Sequence, residues 1–496
     1  MNKTKKNSFE DLQDRIQHRF KQNIFIYTTL NLLIKIATFA LWIYFAATLP
    51  PSEIGKYTLS NSYIEILSSI FLMELSPCIF RFYHDKKNHL VMLSNIIFIF
   101  IISLILLTIG YIFLFKELVL VSPGISEIVN SNTNYVFILF IIAFNMIMNL
   151  SLSHFAALGM TSNYTRILIF NNILFISVSL IAIQLGYGFS GLLFSRMVSL
   201  LVPLGFFIQP ELRGLSMNLI SYPILKELLS YSCPLIIAVT IGVFSSNLGR
   251  LLLDKYTNLT TLGVYGFFFM IATNIHMLWH SFNQAWTPKI FFELTHNEND
   301  KSIDKLTFII LRFSFCYLCI VFISIILGKL FVFELVLKKA YLESVYILYI
   351  LVIGAFFGGI SVIISPYIYH TKKTAFISYA AILGSLLNIF TTFFLVKSFE
   401  QDGAALAMLI TNILGPLILI FLFRNEIKRI TIILRWLFLF SLIFLLGSLS
   451  LIIYKFDHIF LSFILIAVLI SYQNGEVSTM LEPFFYKGIK YIKKYC

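Results

Sequence analysis

Four apolar stretches of this 496-residue chain carry charged and hydrogen-bonding side chains at three- and four-residue spacing. That spacing places the polar side chains of each stretch on one face of a helix. The cations among them could bind an anionic group, and the carboxylates and imidazoles could exchange protons. The four faces are Thr28, Asn31, Lys35, Thr38 and Trp42; Ser62, Glu65, Ser69 and Ser76, with Glu74 beside them; Thr240, Asn247, Arg250 and Asp254; and Thr273, His276, His280 and Asn283. Because polar groups are costly in hydrocarbon, we expect these faces to border protein or a water-filled cavity.

Basic residues within or next to the apolar stretches are the candidate ligands of an anionic group. Together with two asparagines, the set is Lys35, Arg81, Arg196, Arg250, Asn31 and Asn247. Lys35 also has a structural alternative. It lies ~18 Å from the N-terminal end of its predicted helix, and its long side chain could form an ion pair with Glu74 on the next helix. Arg81 stands at the edge of its stretch, where a side chain can extend to the interface. Both interpretations of each residue stay open at the level of sequence.

Acidic and imidazole side chains are the candidates for ion coupling, namely Glu65, Glu74, Asp254, His276 and His280. Arg250 and Asp254 are four residues apart and could instead satisfy each other. Arg196 has no acidic residue near it in sequence, which favours a role in a cavity. The spacing of His276 and His280 would suit a metal pair, but no third ligand is evident. We therefore predict no metal site, with packing or hydrogen bonding as the alternatives for the histidines.

The elements that carry these residues are predicted from composition. The chain is 58% hydrophobic and 12% charged, with a mean hydropathy of +0.87, whereas a soluble domain would carry roughly twice that charge. Apolar runs of about 20 residues, long enough to cross a bilayer, recur along the whole chain. They predict an all-α polytopic membrane protein with about 14 spans, near 23–48, 57–82, 90–114, 135–157, 167–186, 190–208, 233–253, 261–282, 307–328, 345–368, 374–396, 403–423, 436–454 and 457–474.

Lys and Arg are about three times as frequent on one side of this topology as on the other. Cytoplasmic loops carry such an excess, so both termini are predicted to be cytoplasmic. An amphipathic segment at 1–22, a linker at 209–232 and a basic tail at 476–496 then lie on the cytoplasmic side. The net charge of +13 mostly reflects the excess of Lys and Arg on the cytoplasmic side and does not indicate a nucleic-acid partner.

Three short motifs recur in the same order, which indicates an internal duplication. The pairs are Gly55-Lys56-Tyr57 with Gly263-Val264-Tyr265, Pro77-Cys78-Ile79-Phe80 with Pro288-Lys289-Ile290-Phe291, and Gly191-Leu192-Leu193 with Gly403-Ala404-Ala405, at offsets of 208, 211 and 212 residues. They predict two six-helix repeats, 23–208 and 233–424, related by an axis along the membrane normal. The spans within 425–475 are then an addition outside the repeat. The four polar faces lie on spans 1, 2, 7 and 8, which are repeat-related pairs.

Several function classes find no support in the sequence. The loops are too short for a nucleotide-binding or glycosyltransferase domain, and no Gly-x-x-x-x-Gly-Lys-Ser/Thr motif is present, so ATP is not expected as the direct energy source. No nucleophile–base constellation is apparent, and no cofactor is predicted. Cys316 and Cys319 form a Cys-x-x-Cys inside an apolar span, where packing is the expected role.

Several motifs resemble the polysaccharide-transporter family, the flippases of lipid-linked oligosaccharides, which share a superfamily with the multidrug and toxic-compound extruders. One similar region, LPPSEIGKYTLSNSYIEILSSIFLMELSPCIFRFYHD, ends in Arg-Phe-Tyr. A second carries Leu-x-x-Tyr-Ser-x-Pro, Gly-x-Tyr and Ala-Trp-x-Pro, and a third includes DGAALAM. The similarity covers about residues 25–425. One departure concerns span 7, where the family often has Asp-Arg and this chain has Gly249-Arg250. Asp254, one turn later, is a possible substitute for the acid.

The resemblance implies two six-helix bundles that form a V around a central cavity, plus two C-terminal helices. It implies that an undecaprenyl-diphosphate-linked repeat unit crosses the bacterial inner membrane, with membrane lipids as further partners. A polymerase and a chain-length regulator of the same pathway are additional expected partners. The alternatives are a multidrug antiporter of the same superfamily, an O-antigen polymerase or ligase, and a membrane scaffold without transport activity. Basic residues outweigh acidic ones within the spans, which argues against the antiporter, and the short outer loops argue against the polymerase.

Overall fold

The fold is described from a computed structural model. It describes residues 33–34, 36–82, 89–119, 123–129, 131–158, 160–207, 217–296, 314, 317, 338–370 and 374–423. Its helices are α1 (Ile36–Thr48), α2 (Pro51–Phe71), α3 (Leu75–Phe82), α4 (His89–Val119), α5 (Pro123–Val129), α6 (Asn132–Ala157), α7 (Thr161–Gln184), α8 (Gly188–Phe207), α9 (Tyr222–Tyr256), α10 (Leu259–His296), α11 (Lys339–Glu343), α12 (Val345–His370) and α13 (Thr374–Leu422), with a 3₁₀ turn at Met217–Leu219.

Membrane crossing is evident from the lengths and composition of these helices. Within the described residues, eight helical segments are long and apolar enough to span a bilayer, and no strand occurs. The prediction of an all-helical, multi-pass membrane protein is therefore confirmed. The total of 14 spans stays a prediction, because spans 436–454 and 457–474, and span 307–328 except residues 314 and 317, lie outside the described residues. The same holds for the segments 1–22 and 476–496.

Predicted span 57–82 is interrupted rather than continuous. Helix α2 ends at Phe71, and α3 begins at Leu75. Between them Met73 and Glu74 have φ angles of 51° and 49°, in the left-handed region that side-chain-bearing residues rarely adopt. Pro77 contributes to the interruption, because it has no N–H to donate to the carbonyl four residues earlier. The hydroxyl of Ser103 on α4 donates to the carbonyl of Phe71 and so satisfies an acceptor that the break exposes.

Two other boundaries differ from the predicted ones. Helix α9 begins at Tyr222, inside the predicted linker 209–232, so the last part of that linker is helical. Helix α13 covers both predicted spans 374–396 and 403–423. It contains one non-helical residue, Glu400, with φ 51° and ψ −124°, so it consists of two helices joined at a sharp kink. Neither the linker helix nor the kink changes the assignment of these segments to the membrane.

The chain divides into two compact units. The first comprises the described residues within 1–267 and 388–404, and the second comprises those within 268–387 and 405–496. In the first unit α2 is central, since it packs against α5, α6, α8 and α9. The α13 segment of this unit is joined to α9 by a hydrogen bond from the Asn388 amide to the Ser245 carbonyl at 3.2 Å.

Two glycines hold the first turns of α2 and α10 together in the first unit. A Cβ placed on Gly263 would lie 1.8 Å from the Pro51 carbonyl oxygen, and a Cβ on Gly55 would lie 2.0 Å from the Leu259 carbonyl oxygen. Only residues without a Cβ allow backbones to approach this closely. These are the two glycines of the repeated Gly-x-Tyr motif, so both occurrences of the motif meet at one contact.

In the second unit an aromatic cluster surrounds the middle of α10. The buried Trp279 ring packs on Tyr317 at 4.8 Å and on Phe356 of α12 at 5.6 Å between ring centroids. A Cβ on Gly359 would lie 2.3 Å from the Trp279 indole, so the glycine makes room for this ring. The cluster fixes α10 against α12 next to the two histidines.

Candidate functional site

The Glu65 carboxylate on α2 is the centre of a polar cluster in the first unit. It accepts a hydrogen bond from the Asn61 amide at 3.0 Å, one turn earlier on the same helix. From α9 it accepts one from the Asn247 amide at 3.1 Å and one from the Arg250 guanidinium at 3.4 Å. The cluster therefore joins two of the predicted polar faces. We call Asn61, Glu65, Asn247 and Arg250 the α2–α9 cluster.

The two charges of the α2–α9 cluster differ sharply in burial. The Arg250 side chain is 5% exposed, whereas the Glu65 side chain is 42% exposed. Arg250 also donates to the Asn247 side-chain oxygen, whose amide nitrogen is held by the Val243 carbonyl at 2.8 Å. A buried guanidinium requires a compensating anion and several acceptors. Glu65 and Asn247 supply them here, while the carboxylate keeps access to its surroundings.

Two buried tyrosines flank the cluster. Tyr57 on α2 lies close enough to Glu65 and Arg196 for electrostatic interaction with both, and Tyr265 on α10 lies similarly close to Arg250. They are the tyrosines of the repeated Gly-x-Tyr motif. Sequence reasoning used this motif only as evidence of duplication and missed its proximity to the charges. Asn61 was also missed, although its position four residues before Glu65 on an apolar helix was an available signal.

Arg196 on α8 is half-buried. Its guanidinium lies 6.0 Å from the centre of the Phe175 ring on α7, a cation–π geometry. The side chain is thus placed between an aromatic neighbour on α7 and the Tyr57 side of the α2–α9 cluster. The expected role of Arg196 in a cavity stays a prediction.

Asp254 is tied to the start of a different helix. Its carboxylate, on a residue only 2% exposed, accepts the Gly124 backbone N–H of α5 at 3.1 and 3.3 Å. This contact gives Asp254 a structural role in attaching α5 to α9. Glu65 pairs with Arg250 across helices. A role of Asp254 in ion coupling stays a prediction.

An open cavity of about 600 Å³ lies beside the break between α2 and α3. It is lined by Glu74, Ser76, Pro77, Arg81 and Tyr231. Glu74 and Arg81 were both predicted as site residues, and the structure brings them to one cavity. Tyr231, on α9, was missed as a site residue although it belongs to the Leu-x-x-Tyr-Ser-x-Pro motif.

The remaining predicted residues lie elsewhere or outside the described chain. His276 and His280, in the second unit, have ring centroids 5.2 Å apart, and the His276 Nδ1 is 3.0 Å from the Ala355 carbonyl oxygen. Within the described residues no three His, Cys, Asp or Glu side chains are arranged to hold a metal ion. Lys35 and Asn31 are outside the described residues, so the Lys35–Glu74 alternative stays open.

Comparisons with solved structures identify the fold. The chain is similar to the lipid II flippase MurJ in an inward closed conformation, with a TM-score of 0.64, 18% identity, and coverage of 94% of this chain and 100% of that chain. It is also similar to an inward-facing multidrug resistance transporter of the MATE family, with a TM-score of 0.54, 16% identity and coverage of 82% and 99%. For the MATE transporter VcmN of Vibrio cholerae the values are 0.52, 15%, 82% and 97%. At such identities the similarity establishes the fold alone.

Comparison of the sequence with protein families identifies the family of the chain, which the similarity to solved structures does not establish. No curated protein matches the chain significantly. Residues 20–294, which include α2 and α9 with their polar cluster, match the family described as polysaccharide biosynthesis protein. Because this match covers more than half of the 496 residues, the chain belongs to the polysaccharide biosynthesis protein family.

Proposed function

We propose that the protein is an inner-membrane flippase for undecaprenyl-diphosphate-linked oligosaccharide repeat units. It would move the units of O-antigen or a similar surface polysaccharide from the cytoplasmic to the periplasmic leaflet. Family membership supports a role in polysaccharide biosynthesis, and the fold shared with a lipid II flippase supports a transporter. The observation that carries the proposal is the ion pair between the buried Arg250 and the half-exposed Glu65.

This ion pair is suited to an exchange of partners. A diphosphate offers several anionic oxygens, and a planar guanidinium binds such groups with two parallel hydrogen bonds. An arriving diphosphate can therefore replace Glu65 beside Arg250 without leaving a buried charge uncompensated. The amides of Asn61 and Asn247, which donate to Glu65 in this structure, then become donors to phosphate or sugar oxygens. Lys35 and Arg196 are further proposed cations for the diphosphate, and Arg81 is proposed to bind the sugar part of the same substrate.

Protonation of Glu65 is the coupling step that we propose. A neutral carboxyl group attracts Arg250 much less than a carboxylate does, so proton uptake favours the anionic ligand. Loss of the proton restores the ion pair and so favours release of the ligand. The half-exposed position of Glu65 gives the proton a route to the carboxylate. Glu74, Asp254, His276 and His280 are further candidates for this coupling.

Movement of the two predicted repeats against each other supplies alternating access in this proposal. Such rocking around a fixed binding site requires no nucleotide, which agrees with the lack of a phosphate-binding loop motif. The prenyl chain stays in the lipid while the diphosphate and sugars pass the protein. A polymerase and a chain-length regulator would act on the delivered units, and both termini of this chain would remain cytoplasmic.

A complementation experiment tests the proposal. A strain lacking this protein should accumulate lipid-linked repeat units that are inaccessible to a membrane-impermeant glycan-modifying enzyme added to spheroplasts. The wild-type chain should restore their accessibility. Arg250→Ala should not, because the diphosphate loses its buried cation. Arg250→Lys should restore accessibility only in part, because an ammonium group cannot form the two parallel hydrogen bonds.

The matched control is an ion pair of similar N–O distance whose two side chains are exposed, within the short helix α11. Lys339 and Glu343 are 3.7 Å apart, with side chains 90% and 66% exposed. Lys339→Ala should therefore leave the accessibility of the repeat units unchanged. Normal accessibility in the strain lacking the protein would refute the flippase proposal. Full restoration by Arg250→Ala at normal protein level would instead refute only the role of the ion pair.

A second candidate function is drug export, which the exposure of Glu65 favours. A half-exposed carboxylate within the membrane can bind a cationic compound, and MATE multidrug transporters share this fold. Under this alternative, loss of the protein would raise sensitivity to cationic drugs and leave surface polysaccharide intact. Measurement of both phenotypes in one deletion strain separates the two functions.

A further inference from the structure

The interruption between α2 and α3 places a carboxylate where no described side chain pairs with it. No side chain in the described part of the molecule donates a hydrogen bond to the Glu74 carboxylate or pairs with it. The residue stands at φ 49° between the two helices and is half-buried. A carboxylate in such surroundings is costly unless something donates to it. The break therefore presents Glu74 to the cavity of about 600 Å³ that it lines.

A second polar group of this cavity is also unpaired among the described residues. The Ser76 hydroxyl oxygen is buried and forms no hydrogen bond within the described residues. Arg81, at the other end of α3, adds an exposed guanidinium to the lining. The cavity thus combines an acceptor, a hydroxyl group and a donor, and its two charges cancel. A site with these groups suits a neutral ligand that both donates and accepts hydrogen bonds.

The fourth feature of the cavity is an aromatic ring in a fixed orientation. Tyr231 of α9 is 36% exposed. The buried Phe82 ring packs edge-on against it, with centroids 5.5 Å apart and planes at 80°. Because Phe82 limits rotation of the Tyr231 ring, its exposed surface is preorganised for an apolar ligand surface. The cavity volume is within the ~300–1,000 Å³ range of small-molecule sites.

A sugar ring has the chemistry that this cavity selects. Its C–H face packs on an aromatic ring, while its hydroxyls donate to a carboxylate and accept from a guanidinium. A diphosphate is disfavoured, because the Glu74 carboxylate would repel it. A metal ion is disfavoured as well, because Glu74 is the only anionic ligand among the described lining residues and the Arg81 charge opposes a cation.

We propose that the cavity of Glu74, Ser76, Arg81 and Tyr231 is a subsite for a sugar of the lipid-linked oligosaccharide. Tyr231 packs on the sugar face, Glu74 accepts its hydroxyl hydrogens and Arg81 donates to its oxygens. This inference rests on the proposed function, since it assigns part of the same substrate to a place separate from the α2–α9 cluster. The interruption of the helix is what brings Glu74 to the subsite.

Binding to two lipids tests the subsite. The full-length protein in lipid nanodiscs is titrated with undecaprenyl diphosphate carrying the repeat unit, purified from the strain lacking this protein, and with undecaprenyl diphosphate alone. The wild type should bind the glycan-bearing lipid more tightly. Tyr231→Ala should weaken its binding by about tenfold, the upper range for one aromatic contact, and leave binding of the sugar-free lipid unchanged. Glu74→Ala should also weaken binding of the glycan-bearing lipid.

The control is a tyrosine of the same helix that lies outside the cavity. Tyr222, at the start of α9, is 76% exposed, and Tyr222→Ala should leave binding of both lipids unchanged. If Tyr231→Ala does not fold, Tyr231→Leu keeps an apolar side chain without the ring and should show the same selective loss. Each variant is first checked for a monodisperse elution profile.

The outcomes separate the subsite from the proposed function. Equal weakening of both lipids by Tyr231→Ala would place the ring at the shared diphosphate and overturn the sugar assignment. Unchanged binding of the glycan-bearing lipid by either variant would overturn it too. In both cases the flippase proposal would stand. If the wild-type protein binds neither lipid, the proposed function and the subsite that rests on it both fail.

Discussion

Replacement of Gly263 by alanine tests whether the close contact between α2 and α10 holds the first unit together. The new Cβ would lie 1.8 Å from the Pro51 carbonyl oxygen, 2.7 Å from its carbon and 2.9 Å from the Gly55 nitrogen. All three are backbone atoms, so no side chain can rotate away to make room. The two helix ends would have to separate by roughly 1.5 Å to reach ordinary van der Waals distance.

The expected loss follows from two opposing terms. Overpacking a tight contact costs ~1–3 kcal/mol, and a backbone collision belongs near the upper end of that range. Alanine in place of glycine within a helix returns about 1 kcal/mol through its better propensity. We therefore expect a net destabilisation of about 2 kcal/mol. Gly55→Ala should behave alike, because its Cβ would lie 2.0 Å from the Leu259 carbonyl oxygen.

Thermal unfolding of the purified protein at one heating rate measures this effect, with Gly384→Ala as the matched control. Gly384 is also helical, but a Cβ there meets no atom of the described residues within 4 Å. The control should unfold at the wild-type temperature or slightly above it, while Gly263→Ala and Gly55→Ala should unfold below it. Equal midpoints for Gly263→Ala and Gly384→Ala would refute the backbone contact.

Three further predictions concern polar contacts elsewhere in the first unit. Gly188→Ala should destabilise the fold by ~1–3 kcal/mol. Gly188 has φ +49°, and a Cβ there would lie 2.8 Å from a Glu53 carboxylate oxygen. A thermal unfolding midpoint equal to that of the wild type would contradict this. The Glu53→Ala/Gly188→Ala double variant should lose less stability than the two single losses combined, since the collision is then absent, and additive midpoints would contradict it. Asp254→Ala should cost ~1–3 kcal/mol, because the Gly124 N–H loses its acceptor, and Asp254→Asn, which keeps an oxygen, should cost less in the same assay.

The sequence predicted the helical membrane fold because that fold depends on local properties. Runs of apolar residues fix the helices, and the three- and four-residue spacing fixes which side chains share a face. Glu65 and Asn247 were placed on the right faces of the right helices by this spacing alone. The repeated Gly-x-Tyr motif marked positions 55 and 263, but spacing could not show that the two glycines contact each other. That contact depends on how α2 and α10 pack, which a repeat within the sequence does not encode.

The break at Met73 and Glu74 shows a second limit. An apolar run with one acid and one proline is compatible with a continuous, slightly bent helix. Whether it breaks depends on a partner for the carbonyls that the break exposes, and here Ser103 on α4 supplies one. Because that serine lies on a different helix, the sequence around Glu74 alone does not determine the conformation. The cavity beside the break, with Tyr231 from α9, was unpredictable for the same reason.

The pairing of Arg250 shows why the origin of its counter-ion matters for the proposed coupling. Helical spacing offered Asp254 as its partner, and the family resemblance places an acid at position 249, where this chain has glycine. In the structure a carboxylate comes from Glu65 on α2, 185 residues away in sequence. An acid on α9 itself would stay beside Arg250 whatever α2 does. An acid on α2 makes the ion pair depend on the distance between α2 and α9. A change in the charge of Glu65 therefore alters the free energy of packing between these helices. Conversely, a movement of the helices alters the attraction between the two charges. This reciprocity is what coupling between ion binding and conformational change requires.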